Sequence, residues 1–227
     1  MKSDSKFNTQ RVVGIAIFSA LAFVVSFICQ VIPPIAGFLS LDAKDAVIAI
    51  ASFVYGPLSA LIISFLAAFI EFLTFSTTGW YGFIMNFASS AVFSFVAALI
   101  YSKWRNMRGA LVGFGSAIFL TTAVMLLLNI FVTPLYMKYI GVPMTSEDIL
   151  DMLPKILLPF NFAKSLMNSG IALLVYKPIS NALRRVGILK KSDTGVTSQK
   201  DVKSRTLIMV LVGAVGVLIS VAIFFVI

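Results

Sequence analysis

The sequence predicts an all-α protein that crosses a membrane several times, and three observations lead to this fold class. Hydrophobic residues make up 59% of the 227-residue chain and charged residues only 12%, whereas soluble domains are about 45–50% apolar and about 25% charged. The mean hydropathy is +1.01, and several apolar runs reach the roughly 20 residues that a helix needs to cross a bilayer. These runs lack the alternation of polar and apolar side chains that marks a transmembrane β-barrel.

Prolines, glycines and charged loops divide the apolar sequence into seven predicted helices. The first ends at Pro33, and the Gly56-Pro57 pair separates a second helix, too short to span the bilayer alone, from the third. The expected architecture is a six-helix membrane bundle with a seventh, C-terminal transmembrane helix. The predicted helices cover residues 12–32, 46–55, 58–75, 83–101, 110–132, 160–183 and 206–227.

A short interfacial helix is also expected in the long loop before the sixth predicted helix, with Thr145 or Ser146 as its N-cap and acidic residues after the cap.

Charge and the length of the apolar runs divide the chain into three regions. The three regions are a six-helix membrane domain over residues 8–187, a basic linker over 188–205 and the additional transmembrane helix over 206–227.

The distribution of basic residues predicts the orientation in the membrane. The net charge is +9, and Lys and Arg are concentrated in the N-terminus and in segments 102–108 and 184–205. Because cytoplasmic loops carry an excess of Lys and Arg, these parts are expected on the cytoplasmic side, with loops 33–44, 76–82 and 133–159 outside. No binding to nucleic acid is expected, since the charges lie in short loops between membrane helices.

The residue types that the chain lacks exclude several classes of function. It has no histidine and a single cysteine, Cys29, which lies in an apolar run and is interpreted as a small buried residue. These absences exclude a disulfide within the chain, His- or thiolate-ligated metal sites and His-based catalysis. Since no phosphate-binding loop occurs either, we expect neither ATP chemistry nor an enzyme, and no metal or cofactor.

A small set of polar residues lies inside the predicted membrane helices. Ionisable residues there cost about 2.5–3.5 kcal/mol each, so they need a partner or a function. Most of them lie near the outer ends of four helices that run in alternate directions, and those of the sixth predicted helix share one helical face. The residues are Glu71, Asn86, Asn129, Asn161, Lys164 and Asn168.

Polar groups that converge at one depth, near aromatic side chains, predict a cavity for a small planar ligand. The first outer loop adds Asp42 and Lys44 on the same side, and the next outer loop adds Trp80 and Tyr81. A purely structural role for these polar residues also stays open. Amides between membrane helices often only hydrogen-bond the helices to each other, and the Lys164 side chain could extend to the membrane surface.

The first predicted helix carries small residues at a spacing that suits contact between helices. Ala16 and Ala20 are four residues apart, and such a pair lets a second helix approach closely. A docking surface for another membrane subunit and ordinary packing within the bundle are both compatible with this spacing.

Two motifs, together with the short second helix, resemble one family. The first outer loop reads Phe38-Leu39-Ser40-Leu41-Asp42-Ala43-Lys44-Asp45, and the sixth predicted helix opens with Asn161-Phe162-Ala163-Lys164. Over residues 8–187 the sequence resembles the riboflavin-binding S components, the substrate-capture subunits, of energy-coupling factor (ECF) transporters. The two motifs in combination are fairly specific for this family.

The resemblance implies a high-affinity riboflavin-binding subunit of a vitamin uptake transporter in the bacterial plasma membrane. Such a subunit captures riboflavin or a close flavin from outside, as transported ligand and not as cofactor, and delivers it with a transmembrane T component and two ATPase subunits. The resemblance also implies that Asn129, Asn161 and Lys164 hold the flavin ring. It further implies that the loop around Leu41 and Asp42 covers the site.

Further roles follow from the same resemblance. The Ala16-x-x-x-Ala20 surface matches the family's first-helix motif for docking on the T component. The predicted helix over 206–227 departs from the family, which usually ends after six helices. The ribityl hydroxyls need additional polar partners, for which the candidates are Asp42, Lys44, Glu71 and Asn86.

Two other transport functions stay open at this point. Thiamin, biotin or folate could be the ligand, since S components for these vitamins share the fold, although cationic thiamin would favour a more acidic pocket. A proton-coupled small-molecule carrier would use Glu71 and Lys164, but such carriers often contain internal repeats, and none is evident in this sequence.

Overall fold

The computed structural model describes residues 9–142, 144–185 and 199–227, and this part of the chain forms eight α-helices. Within it, the one pairing of extended residues is an isolated bridge between Ile35 and Leu39, so the all-α prediction is confirmed. A π-helical turn, Leu153–Leu157, leads directly into the seventh helix. The helices are α1 (Thr9–Cys29), α2 (Lys44–Tyr55), α3 (Pro57–Thr74), α4 (Gly79–Lys103), α5 (Met107–Tyr139), α6 (Ser146–Met152), α7 (Leu158–Arg185) and α8 (Gln199–Val226).

Five of the described helices are long and apolar enough to cross a membrane: α1, α3, α4, α5 and α8 from Thr206 onward. α7 has 28 residues, or about 42 Å, and it is less apolar because it carries Asn161, Lys164 and Asn168. α2 has 12 residues, or about 18 Å, which is too short for a hydrocarbon core of about 30 Å. The chain is therefore a multi-pass membrane protein with one short internal helix.

The short α2 lies in the interior of the bundle, in contact with α1, α3, α4 and α7. Its sequence suits this position because small residues, among them Ala46, Ala49 and Ala51, are fully buried and admit neighbours on several sides. Gly56 separates α2 from α3 at φ 93°, in the left-handed region that favours glycine. Pro57 begins α3, where its missing N–H removes no helical hydrogen bond.

Aromatic and small side chains fill the half of the bundle that lies away from the first loop. Phe53 of α2 stacks on Tyr101 of α4 with 4.1 Å between ring centroids, and Phe114 of α5 packs beside them. Gly113 lets α5 approach α4, since a Cβ there would lie 2.8 Å from the carbonyl oxygen of Ala97. In lipid, close packing of this kind holds helices together.

α5 extends seven residues beyond its predicted end at residue 132 and reaches Tyr139. Pro134 lies inside the helix, where it removes the hydrogen bond from its own nitrogen to the carbonyl of Ile130. Membrane helices tolerate such a loss because neighbouring groups and local adjustments satisfy the freed carbonyl. The expected loop over 133–159 was therefore wrong for its first seven residues, and Thr133 and Tyr136 lie on a helix.

The predicted interfacial helix is α6, and Thr145 is its N-cap. The Thr145 hydroxyl accepts a hydrogen bond from the Asp148 N–H, and the Asp148 carboxylate accepts one from the Thr145 N–H at 2.7 Å, which completes a capping box. The bonds from the Thr145 backbone and hydroxyl hold the pKa of Asp148 below its ordinary value. Ser146, the other candidate cap, is instead the first residue of α6.

The two ends of the chain differ from their predicted boundaries. α1 ends at Cys29, three residues before its predicted end at residue 32. α8 begins at Gln199, seven residues before its predicted start, so residues 199–205 of the expected linker are helical. Residues 188–198 of that linker lie outside the described residues.

The contact between α7 and α8 depends on two glycines that face each other. A Cβ on Gly213 would lie 2.8 Å from the carbonyl oxygen of Gly170 and 3.1 Å from Leu174 Cγ. Since backbone cannot give way as a flexible side chain does, any side chain at residue 213 must displace α8 from α7.

We expect Gly213→Ala to lower the stability of the protein by about 1–3 kcal/mol, the usual cost of overpacking. Gly115→Ala in α5 is the matched control, since no heavy atom lies within 4 Å of a Cβ at that position. Thermal unfolding in detergent, followed by circular dichroism, measures both variants. Equal melting temperatures for the two variants would contradict the glycine contact.

Candidate functional site

A half-enclosed cavity lies at one end of the bundle, which we call the cavity end. Its walls come from the α1–α2 loop, the start of α4, the end of α5 and the start of α7. The opposite end carries Arg11, Lys103, Arg105 and Arg108, and we call it the basic end. The lining residues of the cavity are Phe38, Leu39, Ser40, Thr78, Tyr81, Gly82, Met85, Asn86, Ser89, Met125, Asn129, Val132, Thr133, Tyr136, Phe160, Asn161 and Lys164.

One wall of the cavity carries two asparagines whose side chains are fixed by their own helices. Asn129 Nδ2 donates to the carbonyl of Met125 at 2.7 Å, and Asn129 Oδ1 accepts from the Thr133 hydroxyl at 2.8 Å. Asn161 Nδ2 donates to the carbonyl of Leu157, in the π-helical turn, at 2.7 Å. All of these bonds stay within one helical turn or the adjoining π turn, so each amide is oriented before any ligand arrives.

A network of buried charges lies behind this wall. Lys164 Nζ donates to Asp42 Oδ2 at 2.8 Å, and Lys44 Nζ donates to Glu71 Oε2 at 2.7 Å. Lys44 Nζ is also 3.8 Å from Asp42 Oδ2, so one chain of charges links the first loop, α2, α3 and α7. Asn86 Nδ2 extends it to α4 by donating to Glu71 Oε2 at 3.3 Å. Glu71 and Lys164, the pair considered for a proton-coupled carrier, therefore belong to different ion pairs.

Asn168 of α7 has a structural role: its side chain hydrogen-bonds the backbone at the start of α2. Its Oδ1 accepts from the Ala46 N–H at 2.9 Å, and its Nδ2 donates to the carbonyls of Asp42 at 3.0 Å and Lys164 at 3.1 Å. The cap residue Ala43 has no side chain that could satisfy the first N–H groups of α2, so an asparagine on α7 does so instead. Asn168 thereby ties α2 to α7 beneath the cavity.

The structure divides the predicted ligand-binding residues into two groups. Tyr81, Asn86, Asn129, Asn161 and Lys164 come together around the cavity, as the convergence of polar groups at one depth predicted. The other six do not line it: Leu41, Asp42, Lys44, Glu71, Trp80 and Asn168.

Two physical reasons explain the residues that lie outside the cavity. Asp42, Lys44 and Glu71 are buried because they pair with one another and with Lys164. Trp80 is 61% exposed on the outer surface of α4, where its ring lies 4.4 Å from that of Phe72. The expectation that Trp80 faces the ligand does not fit this position.

Several lining residues were missed by the sequence analysis. Thr133 and Tyr136 were assigned to a loop, although they follow Asn129 at i+4 and i+7 and so share its face of α5. On α4, Met85 and Ser89 follow Tyr81 at i+4 and i+8 and so share its face. These positions could have been predicted by following the helical repeat of about four residues onward from Asn129 and from Tyr81.

The face of α1 that was considered for docking is exposed in the described part of the chain. Ala16 and Ala20 are exposed, together with Val13, Ile17 and Val24, whereas the opposite face, with Phe18, packs on α2 and α3. These small residues therefore do not serve packing among the helices that the structure describes.

We expect Lys44→Met to destabilise the protein by about 3–5 kcal/mol, because it leaves the buried carboxylate of Glu71 without an ion pair. Lys138→Met is the control: Lys138 is exposed near the end of α5, and such surface changes stay within about 0.5 kcal/mol. Unfolding in detergent measures both variants. A Lys44→Met protein as stable as the control would show that the charge network contributes little.

Comparison with known proteins agrees with this architecture. Residues 10–180 match the family described as ECF transporter, substrate-specific component. A structure described as the S component of a bacterial ECF transporter superimposes with a TM-score of 0.64 at 29% identity, over 78% of this chain and 99% of that chain.

Curated relatives carry consistent names. The riboflavin transporter RibU of Staphylococcus aureus (strain TCH60) is 30% identical over 190 residues, which are 82% of this chain and 100% of that relative. RibU of Streptococcus thermophilus is 26% identical, over 78% of this chain and 85% of the relative. The riboflavin transporter FmnP of Bacillus subtilis (strain 168) is 22% identical, over 74% and 91%. The chain thus belongs to the family of substrate-specific components of ECF transporters.

Proposed function

We propose that this S component binds riboflavin, or a close flavin, in the cavity and serves its uptake across the bacterial plasma membrane. Two of the matched relatives are named riboflavin transporter RibU and one riboflavin transporter FmnP. The observation that carries the proposal is the cavity wall on which Asn129, Asn161 and Lys164 meet.

This wall keeps hydrogen-bonding capacity for a ligand. An amide offers two N–H groups and an oxygen with two lone pairs, and an ammonium offers three donors. In the described structure Asn129 uses one N–H and one lone pair, Asn161 uses one N–H, and Lys164 makes one hydrogen bond, to Asp42. Donors and acceptors therefore remain side by side on one surface.

The chemistry of a flavin suits this surface and the apolar walls next to it. The pyrimidine edge alternates carbonyl oxygens with an N–H, which asparagines and a lysine match. The benzenoid edge needs apolar contact, which Phe38, Phe160 and Met85 supply. Of the four predicted partners of the ribityl chain, Asn86 is the one that lines the cavity.

The orientation that we propose places the N-terminus in the cytoplasm and the cavity end outside. The basic end carries Lys103, Arg105 and Arg108, in and beside the α4–α5 connection, and the positive-inside rule assigns such connections to the cytoplasm. A cavity at the opposite end then captures its ligand from outside the cell.

Delivery into the cell requires partners in this proposal: a transmembrane T component and two ATPase subunits. The sequence contains no phosphate-binding loop, so ATP must be bound elsewhere. The exposed face of α1, with Ala16 and Ala20, is the proposed contact with the T component because small residues allow close helix approach.

Asn129→Ala should raise the Kd for riboflavin about 5- to 150-fold, since a hydrogen bond lost at a buried site costs about 1–3 kcal/mol. Quenching of riboflavin fluorescence by the purified protein measures the Kd. Asn106→Ala is the control, because Asn106 caps the same helix at the basic end, and it should keep the wild-type Kd.

Two results would contradict this assignment. An unchanged Kd for Asn129→Ala would remove that residue from the site. A wild-type protein that quenches no flavin, while thiamin, biotin or folate raises its melting temperature, would assign the cavity to another vitamin.

Ala16→Trp should leave the Kd for riboflavin unchanged and abolish uptake of labelled riboflavin by cells, because a bulky ring prevents a second helix from approaching α1. Leu127→Trp, at an exposed position of α5, should leave both binding and uptake intact. Normal uptake with Ala16→Trp would move the docking surface away from this face.

A further inference from the structure

We propose that α8 holds the outer closure of the cavity in place, with Phe224 and Ile227 as positioning residues that slow ligand release. This inference rests on the proposed binding of riboflavin in the cavity. It assigns a role to a helix that lies beyond the family match, which ends at residue 180.

α8 runs antiparallel along most of α7, in a fixed register. Near the basic end, Lys177 of α7 contacts Thr206 of α8. In the middle, Gly213 faces Gly170 at backbone contact distance. At the cavity end, the ring of Phe224 lies 5.9 Å from that of Phe160.

The glycine contact makes this register rigid. A Cβ on Gly170 would lie 2.6 Å from the carbonyl oxygen of Gly213 and 2.8 Å from Val217 Cγ2, so the two backbones touch without intervening side chains. Because α8 cannot rotate or slide without breaking this contact, the position of its last turn is fixed relative to the start of α7.

That last turn packs on an apolar cluster, two buried members of which also line the cavity. Leu39 of the first loop, Ile149 of α6, Leu157 of the π-helical turn and Phe160 of α7 are buried together, and Phe224 and Ile227 pack against them. Members of the cluster thus come from the first loop and from the continuous stretch of α6, the π-helical turn and α7, and α8 packs against the cluster.

Phe160 and Leu39 connect this cluster to the ligand site. Both residues line the cavity, and they are 3% and 8% exposed. Phe160 therefore lies between the cavity and Phe224. Motion of the first loop or of the start of α7 away from the ligand must separate Leu39 or Phe160 from the cluster, and each contact with α8 raises the cost of that motion.

α8 leaves the proposed docking surface uncovered. It packs chiefly on α7, whereas α1 packs on α2 and α3. A helix that stabilises the closed cavity without blocking the face of α1 fits a subunit that must retain its ligand and still bind a partner.

The test compares two neighbouring phenylalanines. Phe224→Ala should speed riboflavin dissociation about three- to tenfold, the loss expected for one aromatic contact, with an unchanged association rate. Phe225→Ala is the matched control, since Phe225 is 87% exposed on the same turn. Phe224→Leu loses the aromatic contact but keeps an apolar side chain, so it should release riboflavin at a rate between those of the wild type and Phe224→Ala.

Dissociation is followed as the recovery of riboflavin fluorescence. It starts when an excess of a non-fluorescent competitor is added to the preformed complex. Only folded, ligand-loaded protein contributes to this signal, so a lower yield of a variant does not change its rate. Ile227→Ala is a milder second variant, which removes a contact at the chain end and should change the rate in the same direction.

The outcomes separate the inference from the function on which it rests. Equal dissociation rates for Phe224→Ala, Ile227→Ala and Phe225→Ala, in a wild-type protein that binds riboflavin, would overturn the role of α8 alone. A wild-type protein that binds no riboflavin would overturn the proposed function and this inference with it.

Discussion

The ion pair between Asp42 and Lys164 is the interaction on which the architecture of the site depends. It joins the first loop to α7 at 2.8 Å, and the adjoining pair of Lys44 and Glu71 joins α2 to α3. In the apolar interior each of these charges would be costly without its partner. The network therefore joins the first loop, α2, α3 and α7 behind the cavity. Because Lys164 lines that cavity and still binds Asp42, the position of the loop and the charge offered to a ligand are linked.

α7 organises the remaining contacts through opposite faces. One face presents Asn161 and Lys164 to the cavity and Asn168 to the start of α2, whereas the other contains Gly170 and packs on α8. The π-helical turn before α7 supplies the carbonyl of Leu157 that orients Asn161, and such turns are frequent at functional sites. A single helix thus couples the cavity, the buried end of α2 and the additional C-terminal helix.

The sequence was sufficient for the helices and for part of the site. Apolar runs of bilayer length identify membrane helices, and polar residues within them are few enough that Asn129 and Lys164 could be recognised. Tyr136 was missed because Pro134 was taken as part of a loop, although a membrane helix continues through it. Whether an aromatic ring faces the cavity or the surface of the bundle depends on how its helix is rotated about its own axis. The sequence does not give this rotation, so Trp80 was wrongly expected to face the ligand. Asn168 was recognised as polar, but its role in capping α2 requires knowledge of which helices are neighbours.

The central claim is that the wall formed by Asn129, Asn161 and Lys164 recognises the pyrimidine edge of a flavin. The most direct measurement compares the affinity of the wild-type protein for riboflavin with that for N3-methylriboflavin, which lacks the N–H of that edge. Methylation should weaken binding about tenfold or more, because a hydrogen bond is lost and a buried polar group is left unpaired. Equal affinity for the two flavins would contradict it, since the edge would then make no contact with this wall.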